Sequence, residues 1–337
     1  MLSTQASYRH NVYKISRRDS DAESSASTCS SPTDEYDEDV NHRIYPKWCS
    51  YRHIIQRHGF RLDTCRDVKR VYQQYWESLA SRGCQISKDL PGYLRACDGQ
   101  SEDDLCPDMG LPGNLFRGTR CADGVHVIIK AVHLRSREYD VVRYLSSSPV
   151  REHRMNHCIP VLHRIEVPSD DLAFIIMEEW SSHLDTDPPH TIRGFLGIIR
   201  QHLEHVTFMH AHRLAHLDLN VRNAVINGHR YACIDYETSR RFENDHPRIQ
   251  GVRSCEPPPE IDRGGCWDPY KADVWALGMV TMRASQLTGF ETPGLRALIL
   301  RLLDEDPDRR PTARQALSLF NSTFRATDRP DSPTAVM

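Results

Sequence analysis

The chain has 337 residues, 39% of them hydrophobic, and a formal net charge of -3. That length suits about two ordinary domains or one built in two parts, and the near-neutral balance excludes the basic footprint that nucleic acid or an anionic membrane selects. No run approaches the roughly 20 apolar residues of a membrane span, and residues 1–20 lack the apolar core of a secretory signal.

The 11 cysteines are scattered, and no two stand at C-x-x-C spacing. Spacing therefore lends no support to a zinc or thioredoxin-type motif. Reduced, mostly buried thiols in an intracellular protein, cytoplasmic or nuclear, are the expectation.

Residues 1–44 read as a disordered tail. Between Ser16 and Val40 they are rich in Ser, Asp and Glu, with too few large apolar side chains to offset the entropy of ordering. Its hydroxyls beside acids suit either a regulatory phosphorylation tail or a solvated one. Residues 45–105 read as a helical extension. Val68, Val71, Tyr72, Tyr75 and Leu79 form one helical stripe, Thr64 and Asp67 resemble a capping box, and Gly83 is a natural C-cap. Ile54, Ile55, Phe60 and Leu62 suit a second, shorter element.

From 106 to 326 the texture changes. Val125–Val132 and Leu172–Met177 are β-rich runs and predict strands. From Thr191 on, Phe195, Ile198, Ile199, Leu203, Val206 and Met209 share a helical face. Strands first and helices later predict an α+β protein of two unlike parts. Residues 327–337 read as a flexible C-terminal tail.

Motifs with chemical content follow the same order. Asp108-Met109-Gly110-Leu111-Pro112-Gly113-Asn114-Leu115 is a degenerate glycine turn, and Val127-Ile128-Ile129-Lys130 is a strand ending in lysine. Arg137-Glu138-Tyr139 follows that strand, and Met177-Glu178-Glu179-Trp180 stands at the end of the second β-rich run. His216-Leu217-Asp218-Leu219-Asn220-Val221-Arg222-Asn223 then precedes Ile234-Asp235-Tyr236-Glu237. Pro258-Pro259-Glu260, Asp273-Val274-Trp275-Ala276-Leu277-Gly278 and Arg310-Pro311-Thr312-Ala313 complete the series.

In this order the fragments resemble those of eukaryotic protein kinases: G-x-G-x-x-G-x-V, V-A-I-K, H-R-D-L-x-x-x-N, D-F-G and A-P-E. The resemblance implies a bilobal fold, with a small β-rich N-lobe at about 106–178 and a larger helical C-lobe at about 181–326. It implies ATP and Mg²⁺, and transfer of the γ-phosphate to a hydroxyl of a protein substrate. Asp218 would orient the nucleophile, and Asn223 and Asp235 would hold the metal. Lys130 would grip the phosphates and Glu138 would hold Lys130. Gly110 and Gly113 would shape the phosphate loop. Leu115, Ile128 and Val225 would sandwich the adenine, and Glu178 to Trp180 would meet its edge. Glu260 and Arg310 would form a buried ion pair.

Departures from the pattern keep other functions open. Asp108 replaces the first glycine, Glu237 the glycine of D-F-G, and Ile128 a smaller alanine. Leu217 stands in place of the arginine before the catalytic aspartate, which makes this a non-RD loop without a donor for an activation-loop phosphate. Asn220 replaces the lysine common in Ser/Thr kinases, while Arg222 is reminiscent of tyrosine kinases. Ser/Thr specificity is favoured because the Pro258-Pro259-Glu260 region lacks a tyrosine-kinase signature. The alternatives are a pseudokinase acting as a binding scaffold and, because Asp273 to Arg310 is short, a small-molecule phosphotransferase.

Overall fold

A computed structural model of the chain describes residues 41, 44–81, 97, 99–107, 111–180, 182–184, 188–251 and 255–324. Gly83, Asp108, Gly110, the side chains of Tyr72, Tyr75 and Leu79, and both expected tails apart from Asn41 and Ile44 lie outside the described residues.

In chain order come α1 (Trp48–Arg57), β1 (Phe60–Leu62), α2 (Cys65–Ser81), β2 (Leu115–Arg120), β3 (His126–His133), α3 (Arg137–Leu145), β4 (Val161–Val167) and β5 (Leu172–Glu178). They are followed by β6 (Ser182–His183), α4 (Ile192–Ala211), β7 (Leu214–Ala215), β8 (Ala224–Asn227), β9 (Arg230–Cys233) and β10 (Arg240–Arg241). The last are α5 (Pro259–Asp262), α6 (Pro269–Thr288), α7 (Pro293–Leu302) and α8 (Ala313–Phe324). The protein is α+β: an antiparallel five-stranded sheet, order β1-β2-β3-β5-β4, comes first, and most of the helices follow it.

Local chemistry explains the main elements. Alternation along β3 sends Val127, Ile129 and Ala131 into a cluster with Ile55, Phe60, Phe116, Phe174 and Ile176, so Ile128 and Lys130 take the opposite face. The helix caps follow the sequence. Ser136 Oγ accepts from the Tyr139 N–H at the start of α3, and Thr191 Oγ1 from the Gly194 N–H at the start of α4. Asp67 Oδ2 accepts the N–H of Thr64, which is one half of the expected capping box.

The expected helical extension is built into the sheet. Phe60–Leu62 pairs with Gly118–Arg120 as an edge strand. From α1, the Trp48 ring lies 5.2 Å from that of Phe116 and the Tyr51 ring 5.0 Å from that of Phe174, covering one sheet face. The largest cluster joins α3, α4, α6, α7 and α8 through Tyr139, Phe195, Leu203, Leu277, Leu302 and Phe320. Among the described residues no helix is long and apolar enough to cross a membrane.

Candidate functional site

Lys130 sits centrally in β3, opposite Leu115 of β2 and Ile175 of β5. Its ammonium donates to Glu138 Oε1 at 2.6 Å and to Asp235 Oδ1 at 2.9 Å. Helix α3 delivers Glu138, which is 2% exposed. Burial works against the Lys130 ammonium, but Asp235, Glu138 and Glu237 outweigh it and hold its pKa above the ordinary lysine value. Breaking such a buried pair from one side typically costs about 3–5 kcal/mol. Oxygens of Glu138, Asp235 and Glu237 lie within 4.8 Å of one another, close enough to share a cation.

Asn41 locks the back of this group. Its amide nitrogen donates to Glu138 Oε2 at 3.0 Å, its backbone N–H to Glu237 Oε1 at 3.2 Å, and its Oδ1 accepts the N–H of His133 at 3.0 Å. No sequence signal marked Asn41, since it lies in a polar stretch far from every motif.

The loop carrying Asp218 is pinned from below. The fully buried Asp273 carboxylate accepts the N–H groups of His216 and Leu217, both at 2.8 Å, and pairs with His210 Nε2 at 3.0 Å. Leu217 is held at φ 67° and Asp235 at φ 64°. Non-glycine residues resist that region at about 1–3 kcal/mol each, so the surrounding bonds over-determine both bends. Asn223 Nδ2 donates to Asp218 Oδ2 at 3.0 Å and to its backbone oxygen at 2.9 Å, which leaves Asn223 Oδ1 as an oxygen donor. Asn220 Nδ2 also reaches Asp218 Oδ2, at 3.2 Å, and the Cys255 N–H lies 3.1 Å from Asp218 Oδ1.

Tyr236, in place of phenylalanine, is absorbed by a directional chain. The His157 N–H donates to His205 Nδ1 at 3.0 Å, so His205 carries its proton on Nε2 and gives it to the Tyr236 hydroxyl at 3.1 Å. That hydroxyl in turn donates to the Cys233 carbonyl at 3.2 Å. Burial pushes His205 well below the ordinary histidine range, which fits the neutral ring this chain requires.

Lys130, Glu138, Asn223, Asp235 and Tyr236 border a cavity of about 560 Å³, whereas Asp218 and Glu237 are not among its lining residues. Of the residues singled out in the sequence, Leu115, Ile128, Lys130, Glu138, Glu178, Trp180, Asn223, Val225 and Asp235 line it. Gly113 is directed to the N-terminal segment: its carbonyl accepts from Trp48 Nε1 at 3.1 Å, and a Cβ there would fall 2.5 Å from the Tyr45 ring. Leu111, Pro112 and Asn114 line the cavity beside it. The N–H groups of Glu178 and Glu179 are committed to the carbonyls of Pro160 and His126, each at 3.0 Å. Val68 and Val71 of α2 complete one wall. Their helical stripe was visible in the sequence, but its destination was not.

No family model matches the chain. It is 24% identical over 298 residues to mitogen-activated protein kinase kinase kinase 5 of Homo sapiens, covering 74% of this chain and 21% of that protein. Mitogen-activated protein kinase kinase kinase 6 of Homo sapiens is 27% identical over 167 residues, or 48% of this chain and 12% of that protein. A probable myosin light chain kinase of Dictyostelium discoideum is 26% identical over 162 residues, or 38% of this chain and 45% of that protein. The chain thus spans about a fifth of the length of the first of these relatives. The similarity is distant and is to protein kinases, and it supports a protein kinase-like function.

Proposed function

We propose that the chain is a bilobal, protein kinase-like domain that binds ATP with Mg²⁺ in this cavity and transfers the γ-phosphate to a protein hydroxyl, serine or threonine in preference to tyrosine. The observation that carries the proposal is the Lys130 ammonium bridging Glu138 and Asp235 at the wall of a cavity that also holds Asn223. Lys130 is the cation for the nucleotide phosphates, and Glu138 keeps it extended. Leu115, Ile128 and Val225 form the apolar walls for the base, with Glu178 and Trp180 at its edge. Asp218 orients the attacking hydroxyl, and Asn223 positions Asp218 through two hydrogen bonds. The oxygens of Asn223 and Asp235 are hard donors of the kind Mg²⁺ selects, so the residues fit the ion. When bound there, Mg²⁺ supplies charge neutralisation for the phosphate oxygens.

A second reading, a nucleotide-binding scaffold without transfer, draws on one contact. The Cys255 N–H occupies Asp218 Oδ1, where a substrate hydroxyl would have to donate. One experiment separates the two. Transfer from γ-labelled ATP to the protein itself and to generic substrates is measured with Mg²⁺, alongside nucleotide-induced thermal stabilisation. The expected result is transfer that falls by at least about a hundredfold in Asp218→Asn with ATP binding retained, and ATP stabilisation that is weakened in Lys130→Met. Stabilisation without transfer selects the scaffold. Absence of any ATP-dependent shift with Mg²⁺ or Mn²⁺ removes the nucleotide site.

A further inference from the structure

A second cluster of chemically capable side chains lies outside this cavity. Cys65 opens α2, and Cys97 and Cys106 come from the chain beyond it, yet their sulfurs lie within 4.8 Å of one another. The three residues are 0%, 0% and 1% exposed, and none is disulfide-bonded. Sequence spacing concealed them, because the first two stand 32 positions apart and the last two 9. Backbone bonds hold the segments of Cys65 and Cys106 together. The Cys65 N–H donates to the Asp104 carbonyl at 2.9 Å, Arg66 N–H to Glu102 at 3.0 Å, and Cys106 N–H to Asp63 at 3.2 Å. A bridge between Thr64 and Leu105 continues the lacing.

We infer that Cys65, Cys97 and Cys106 form a binding site for a thiophilic divalent cation, zinc in the cell. Sulfurs on a tetrahedral zinc sit at about 2.3 Å from the metal and so roughly 3.8 Å apart, a spacing these side chains reach with a small contraction. Each thiol releases its proton to solvent as its sulfur takes the ion. The fourth position falls to an oxygen donor, and Gln100 Oε1, 3.6 Å from Cys65 Sγ, is placed to supply it.

One further feature favours an ion over three inert thiols. From Cys97 to Pro107 the chain carries Leu105 as its single large apolar residue, so burial alone offers little to hold it against α2, and small units of this kind gain stability from a cross-link. Val68 packs in the same small cluster as the cysteines and also lines the large cavity. The ion would therefore set how α2 lies along that wall.

The test uses the full chain, produced in zinc-supplemented medium and purified without chelator. Elemental analysis should find about one zinc per chain, falling by about tenfold in Cys65→Ser and in Cys106→Ser but not in Cys121→Ser, whose residue is exposed. Because a serine variant can fail by misfolding, the unaltered protein is also stripped and titrated with Co²⁺. A thiolate-to-cobalt charge-transfer band saturating at about one equivalent is expected. Less than about a tenth of an equivalent of zinc together with no cobalt band overturns the inference. So does zinc retained by the folded Cys65→Ser/Cys106→Ser double variant, or a native disulfide joining any two of the three.

Discussion

At the residue scale, the unusual feature of the Lys130 cluster beside the cavity is Glu237. It is 8% exposed, held by Asn41, and close enough to Lys130 to raise the lysine's pKa together with Asp235 and Glu138. Three acids against one ammonium make the cluster an anionic wall, which opposes a polyphosphate arriving without a counter-cation. Nucleotide affinity should consequently be more cation-dependent here than the lysine alone would dictate. Glu237→Gln removes a charge while keeping the shape and an acceptor for the Asn41 N–H. The expected result is ATP binding in chelator tightened by about tenfold, equal to about 1.4 kcal/mol, with a smaller gain in Mg²⁺. Calorimetric titration in both conditions measures it, and equal affinities for the variant and the parent in chelator would exclude electrostatic opposition from Glu237.

At the scale of elements, one side chain ties three of them. Arg310 is 1% exposed, and its guanidinium meets Glu260 of α5 through two bonds of 2.8 and 3.0 Å. It also donates to the Lys271 carbonyl in α6 at 2.7 Å and to the Asp304 carbonyl beyond α7 at 3.0 and 3.1 Å. The planar fork matches this set of acceptors, and lysine has no such geometry. Arg310→Ala should therefore cost about 3–5 kcal/mol of stability, with Arg310→Lys recovering only part of it. Urea melts check this, and an alanine variant of unchanged midpoint would contradict the assignment. This pair was legible in the sequence because both partners sit in ordered motifs. Helices α2 and α4 were legible too, since their apolar stripes repeat over several turns. Strand β1 was legible only as part of a short element of unspecified type: Phe60-Arg61-Leu62 alternates, but three residues are too few to mark a strand, and only pairing with β2 defines it. Asn41 at Glu138, Cys255 at Asp218 and the three convergent cysteines were hidden. Each contact joins segments that no local pattern relates, so only the folded chain brings them together.

At the scale of the whole molecule, stability should carry a signature of histidines sealed in the large helical core. His202 of α4 is 2% exposed and stacks on Tyr231 with ring centroids 4.8 Å apart, and its Nε2 has no hydrogen-bond partner among the described residues. Burial, reinforced by His216 and His157, pushes its pKa down to about 3. In the unfolded chain the same ring titrates at about 6.5. Between those values the unfolded state holds a proton that the folded state refuses. Stability from this residue is thus full above about 6.5 and declines as pH falls toward about 3, at about 1.4 kcal/mol per pH unit. His205, also pushed down by burial, acts in the same direction. Replacing His202 by phenylalanine keeps a ring against Tyr231 and removes both the titration and an unsatisfied nitrogen. Denaturant melts at pH 7, 6, 5 and 4.5 should give a slope of stability against pH that is shallower in His202→Phe by about 1.4 kcal/mol per unit, with little difference between the proteins at pH 7. Parallel curves for the two proteins would show that His202 takes up its proton without unfolding, and that water reaches the centre of the helical core.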